Sequence, residues 1–189
     1  VIEPGLEPFP VYLAAVFPKM LKVAAQTADG IAGGATLSLD YLTNTVQPLA
    51  REFAALSERD FSTLKWSAVG VFAMDPDRDA ARRAAREAIC HFYAPLPHPY
   101  YEFTMREQGF SDVADKLLQL MPAGELEQAI ETIPDECIDN LTICGTPREC
   151  KEKLASYSNA LDDLLLLNVM PSPENDPTAS YTALFSELS

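Results

Sequence analysis

Four small residues in a row, Gly33-Gly34-Ala35-Thr36, follow a short apolar run and stand just ahead of a serine-capped helical pattern. A turn of this kind presents backbone N–H groups without bulky side chains in the way. It adds a hydroxyl at Thr36, and the helix start beyond it contributes a favourable dipole. Those are the requirements of a phosphate cradle, although a plain strand-to-helix turn needs the same residues. A second loop of interest ends the preceding strand at Ala15, Val16 and Phe17, with Lys19 at the next helix start as a counter-charge or an exposed stem. Elsewhere the chemistry is sparse. His91 falls in mid-helix and His98 in a proline-rich hinge, positions that suit surface or packing histidines better than catalysts. The chain has no G-x-S-x-G elbow, Walker loop or G-x-G-x-x-G fingerprint. Asp29 and Asp163 sit where strands begin, the end that serves stability in parallel sheets. The four cysteines, Cys90, Cys137, Cys144 and Cys150, are too far apart for paired zinc ligands and read as packed thiols in a reducing cytosol. No catalytic residue and no metal site is assigned.

The elements that must hold these loops are legible from periodicity. Val11 to Val16 is a near-continuous apolar run, expected to be a strand buried on both faces. Phe17-Pro18 breaks it, and Met20, Leu21, Ala24, Ala25 and Ala28 recur at helical spacing. Asp29-Gly30 ends that helix, and Ile31-Ala32 begins a second strand. Strand, helix and strand at this length make a parallel βαβ unit with a right-handed crossover. Ligands in such sheets bind at the carboxyl ends of the strands, which singles out the two loops.

Ser38 caps a helix with Leu39, Leu42, Val46, Leu49, Phe53 and Leu56 on one side, and Pro48 is expected to kink or split it. Leu64 to Ala73 is a third strand. Asp75-Pro76-Asp77 then caps an alanine- and arginine-rich helix to about Tyr93, whose Arg82, Arg83 and Arg86 read as a solvated face paired locally with Asp79 and Glu87. Residues 95–145 read as an insertion of short helices within a single domain of residues 1–189. Thr146-Pro147-Arg148-Glu149 is a capping box opening a helix with Cys150, Leu154, Tyr157 and Leu161 inward. Leu164 to Val169 is a fourth strand buried on both faces. Tyr181, Leu184, Phe185 and Leu188 mark a closing amphipathic helix.

Twenty-eight acidic residues against 14 basic ones give the 189-residue chain a net charge of −14. Nucleic acids and anionic membranes demand a positive footprint, so neither is an expected partner. No apolar stretch approaches the roughly 18 residues of a membrane span. A small-molecule substrate and a cytoplasmic location fit better.

The run PVYLAAVFPKMLKVAAQTADGIAGGATLS, followed by Gly145-Thr146-Pro147-Arg148-Glu149-Cys150 and by Asp162-Asp163-Leu164-Leu165-Leu166-Leu167, resembles the luciferase-like flavin and deazaflavin oxidoreductases, and within them the methylenetetrahydromethanopterin-reductase-like branch. The resemblance implies an α/β fold: the carboxyl-terminal half of a (β/α)8 TIM barrel, about four parallel strands, with a helical insertion before the last. It implies hydride transfer or monooxygenation with the deazaflavin coenzyme F-420, or with FMN, held by Ala15, Val16, Phe17, Gly33, Gly34, Ala35 and Thr36. Phe17 stands where the family has a turn glycine, adding bulk and removing easy access to positive φ. Four strands instead of eight imply a missing amino-terminal half or a homo-oligomer, with unpaired edges and poor stability alone. Two alternatives remain, a non-catalytic flavin-binding relative and a half-barrel that assembles with a partner chain. On the cradle reading, Gly34→Asp should abolish cofactor binding and leave the fold intact.

Overall fold

The computed structural model of the chain describes residues 9–93, 99–171, 182 and 185–186. His98 and most of the proposed closing helix lie outside those residues. Among the described residues, five strands form one wholly parallel sheet: β1 (Tyr12–Ala14), β2 (Gly30–Gly33), β3 (Lys65–Met74), β4 (Ile143–Gly145) and β5 (Asp163–Asn168). The ten-residue β3 is its spine. Ser67 and Ala68 pair with β2 and with β5, and Phe72 pairs with both β4 and β5. A strand has only two edges, so β5 takes one edge while β2 and β4 share the other in tandem. The sequence reading finds four strands. It misses β4 because three residues before a capping box are too few to show a period.

The first βαβ unit forms as its pattern predicts. Pro18 opens α1 (Pro18–Thr27) at the first helical position, where its missing N–H costs nothing. Leu21, Ala24 and Ala25 are buried against the sheet and the following helices, together with Ala28, Ile31, Leu42, Val46, Ala50 and Trp66. Met20 is the exception. It turns outward and is 44% exposed. Ser38 caps the next helical run as expected, accepting a hydrogen bond from the Tyr41 amide.

Pro48 does disturb that run, by adding a residue to a turn rather than by a break. A short α2 (Leu39–Tyr41) passes into a π-helical turn, Leu42–Val46, before α3 (Gln47–Ala55), and the Gln47 amide reaches back five residues to the Leu42 carbonyl. The wider turn makes room for the proline ring against the preceding carbonyls. It also rotates the buried stripe. Leu42 and Val46 face inward, then Ala50 and Ala54 do, and Leu56 ends up 68% exposed.

Two strands depart from the expectation of burial on both faces. Parallel register partners share a face, so Ala14, Ala32, Ser67 and Asp163 lie on one side with Val69 and Leu165. Leu13, Ile31, Trp66, Leu164 and Leu166 take the other side, where they join the cores under the helices. At the carboxyl end of β3 this first side is covered, since Val71 and Ala73 are wholly buried and Ala73 packs with Ala81, Ala85 and Ile89; around Leu165 and Leu167 it is bare. Leu165 is 56% and Leu167 42% exposed, and β5 alternates instead of being buried throughout. β1 and β5 are outer strands of the sheet, and its inner face is open around Leu165 and Leu167.

Between α4 (Arg78–Phe92) and β4 the described residues form four helices: α5 (Pro99–Glu107), α6 (Ser111–Leu120), α7 (Leu126–Thr132) and α8 (Asp135–Leu141). They share one core with α4, in which Ile89, Met105, Leu117, Ile133, Ile138 and Leu141 are almost wholly buried. Arg82, buried, and Arg86, half-buried, belong to this junction and are not a solvated face, while Arg83 keeps a side chain 56% exposed. Arg82 is 6% exposed and pairs with Asp135 at 2.8 Å and with Asp139. Arg86 pairs with Asp135 and donates to the Ile133 carbonyl, and Arg83 holds Glu127 at 2.9 Å. These partners lie on α7, on α8 and between them, more than forty residues away in sequence, which local helical spacing cannot reveal.

After β4, the predicted capping box is in place. The Glu149 amide donates to Thr146 Oγ1 while the Glu149 carboxylate accepts from the Thr146 amide, opening α9 (Pro147–Tyr157). Cys150 and Tyr157 face the core, as their spacing predicts.

Candidate functional site

Parallel pairing brings the two candidate loops to one end of the sheet. Ala14 pairs with Ala32, and the Ala15 amide continues the ladder to the Ala32 carbonyl at 3.1 Å. The chain leaving β1 through Ala15, Val16 and Phe17 therefore runs beside the chain leaving β2 through Gly33, Gly34, Ala35 and Thr36. Ala15, Ala35 and Thr36 are buried, Val16, Gly33 and Gly34 are half-buried, and Phe17 is 39% exposed. All seven residues lie along one rim. Asp29 is at the opposite end, where its carboxylate accepts from the Val11 amide at 2.8 Å. There too Asp162 takes the Lys65 ammonium and the Trp66 amide.

The rim is roofed by α5. Phe103 packs on Phe17 with ring centroids 4.9 Å apart. Thr104 and Thr36 share a buried hydroxyl–hydroxyl hydrogen bond at 3.2 Å. Gln108 uses both ends of its amide: Nε2 donates to the Thr36 carbonyl and Oε1 accepts from the Ser38 amide, each at 2.8 Å. Tyr100 lies over Gly34, where any Cβ would overlap its hydroxyl, so glycine is required here by the close approach of a neighbour. Burial pushes the Tyr100 phenol above its ordinary pKa, while the Thr36 side chain and the Ala35 backbone pull it part of the way back. Gly34→Asp would consequently displace Tyr100 from the loop as well as add a charge.

Sequence reasoning did not find these α5 residues. Their signal is present, because Tyr100, Thr104 and Gln108 recur every four residues and make one polar stripe, with Tyr101 and Met105 turned toward the core. What the pattern withholds is the surface that the stripe meets.

Other singled-out residues fall away from the rim. The His91 side chain is 58% exposed and lies 3.6 Å from Glu87 one turn earlier. Cys90, Cys137 and Cys150 are buried free thiols pushed up to about 12 by burial, and Cys144 is half-buried. Buried thiols of this kind are packing residues and not nucleophiles. Among the described residues no helix is long and apolar enough to cross a membrane.

A parallel βα sheet with small-residue loops gathered where its strands finish is the layout of barrel-type enzymes that bind ligands at the carboxyl ends of their strands. The comparison with known families is specific: residues 1–164 match the luciferase-like monooxygenase family, and the chain belongs to it. It is 31% identical over 162 residues to 5,10-methylenetetrahydromethanopterin reductase from Archaeoglobus fulgidus, covering 82% of this chain and 47% of that protein. It is 27% identical to the F-420-dependent glucose-6-phosphate dehydrogenase of Tsukamurella paurometabola, covering 81% and 40%. Among solved structures, the coenzyme F-420-dependent tetrahydromethanopterin reductase from Methanopyrus kandleri superposes with a TM-score of 0.67 at 21% identity, over 84% of this chain and 44% of that one. The chain thus spans about half the length of the curated relatives it matches, and its sheet corresponds to part of a TIM barrel.

Proposed function

We propose that this chain contributes the coenzyme-tail side of a luciferase-like oxidoreductase that acts on a small-molecule substrate in the cytoplasm. Coenzyme F-420 is the first choice of cofactor, supported by its place in the names of two of these relatives, and FMN is the second. The observation that carries the reading is the single rim at the strand ends formed by Ala15, Val16, Phe17, Gly33, Gly34, Ala35 and Thr36. The residues fit a phosphorylated tail in kind: small side chains along Gly33–Ala35, a hydroxyl at Thr36, and an apolar wall at Ala15 and Val16. When bound, the coenzyme ring supplies the hydride carrier or the site of oxygen activation. The protein's share is to seat the tail at Gly33–Thr36 and to shield the rim from water with Phe17 and Phe103.

The open part of the face, around Ala14, Leu165 and Leu167, is completed by further strands, from an amino-terminal half or from another subunit. Exposed leucines on an edge strand support this. Without that complement the chain should be oligomeric or weakly stable; a cooperatively melting monomer on sizing and calorimetry would contradict it.

Fluorescence titration with coenzyme F-420 and with FMN tests the site. Gly33→Glu adds a carboxylate beside the cradle; its Cβ meets the end of Leu37 at 2.8 Å, with the Ser67 carbonyl and the Ala68 Cβ at 3.5 and 3.6 Å. It should weaken binding at least ten-fold through like-charge repulsion, roughly 1.4 kcal/mol. Equal affinity in the variant and the parent would refute the cradle.

A further inference from the structure

Polar side chains on and just after α5 contact the rim, and two of the groups they hold, the Ser38 amide and the Thr36 hydroxyl, are donors that a phosphate would use. Gln108 holds the Ser38 amide and the Thr36 carbonyl. Thr104 holds the Thr36 hydroxyl. The Tyr100 hydroxyl occupies the space over Gly34, close to the Ala35 backbone and the Thr36 side chain. An oxygen atom already sits in the oxygen-binding turn.

We infer that Tyr100 is an internal competitor for the cradle, and that a phosphorylated tail binds Gly33–Thr36 only by displacing it and loosening the α5 stripe. This rests on the reading of the rim given above and adds a regulatory element to it. The contacts are suited to exchange. They are neutral hydrogen bonds and one close approach at a glycine, each weak beside the charge-assisted bonds that a phosphate makes. Arg82, Arg83 and Arg86 pin α7 and α8, and Met105 keeps α5 in the shared core, so what loosens is the stripe of α5 that faces the rim. A rim that is open only part of the time binds with an affinity lowered by the open fraction, and removing the competitor restores it.

The test compares the parent chain with Tyr100→Ala and Tyr100→Phe, using coenzyme F-420, FMN and inorganic phosphate as probes. Affinity should rise about ten-fold in Tyr100→Ala and about three-fold in Tyr100→Phe, which keeps the ring but loses the oxygen. In the parent, backbone hydrogen exchange across residues 100–108 should speed up on adding either coenzyme, with α7 and α8 unchanged. Binding of equal strength in all three proteins, with α5 protected as before or better, would overturn the competition and leave the cradle standing. Failure of every probe to bind parent and variants alike would remove the cradle itself, and this inference with it. If Tyr100→Ala does not fold, the exchange measurement on the parent decides alone.

Discussion

The four-helix stretch shares an apolar core with α4, and the contacts around that core fall into two junctions built from opposite materials. At α4 the bonds are ionic: Arg82, nearly buried, and Arg83 and Arg86 beside it reach Asp135, Asp139 and Glu127. At the rim they are neutral, made by two hydroxyls, one amide, a pair of phenyl rings and a tyrosine over a glycine. Ion pairs held by a buried guanidinium are costly to break, because the separated charges must be rehydrated or left unpaired. Neutral contacts of the second kind contribute about 1 kcal/mol each and can be replaced one for one by a ligand. The contrast separates a permanent anchor from a surface able to change partners, and the changeable one lies where the ligand is expected.

The sharpest way to break the comparison is at the anchor. Arg82→Met should cost on the order of 2 kcal/mol, since the two carboxylates it leaves are largely solvated and the aliphatic stem is replaced. Hydrogen exchange should quicken in α7 and α8 first. An effect confined to α5 would reverse the roles assigned to the two junctions.

Acid probes the same anchor without mutation. Asp135 is held below its usual carboxylate range, first by its hydrogen bond to Arg86 and then by the charges of Arg82 and Arg86. Glu149, through Thr146, and Asp162, through Lys65, are lowered as well. A carboxylate depressed in the folded state stabilises above its unfolded pKa, because the unfolded chain takes up the proton first. Stability should therefore fall as pH drops below about 4. The buried thiols Cys90, Cys137 and Cys150 run the other way. Raised to about 12, they stabilise below the unfolded thiol pKa and lose that contribution as pH climbs from about 9 toward 12. Chemical denaturation across pH should show both losses around a central plateau.

The rim should respond more mildly. Gln108→Ala should cost about 1 kcal/mol, seen as faster exchange in α5 and at Ser38 with α8 untouched. Phe103→Ala should cost still less beyond its lost area, because its partner Phe17 is already 39% exposed.

Local signals carried much of this architecture. The Pro18 helix start, the Asp77 and Ser38 caps, the Thr146 capping box and the continuous apolar β3 are all determined within ten or so residues, and the structure has each of them. Long-range partners are what periodicity leaves out. An apolar run such as Leu164–Leu167 reads as doubly buried whether or not a second layer exists, so the open inner face was invisible. The arginine stripe of α4 and the polar stripe of α5 both announce a helix with a polar side, yet neither names the carboxylates or the glycine loop opposite. Gly34 is the instructive case. Its small size was read as room for a ligand, and in the structure that room is filled by Tyr100.

The chain has only 8 glycines, so selective nitrogen-15 glycine labelling gives a two-dimensional spectrum in which each can be followed. Gly33 and Gly34 lie in the cradle, while Gly109 and Gly124 lie in the turns of the four-helix stretch. Titration with coenzyme F-420 should shift the Gly33 and Gly34 resonances saturably, with inorganic phosphate moving the same pair and Gly124, between α6 and α7, holding still. Saturable binding that leaves Gly33 and Gly34 in place would contradict a tail seated at this rim.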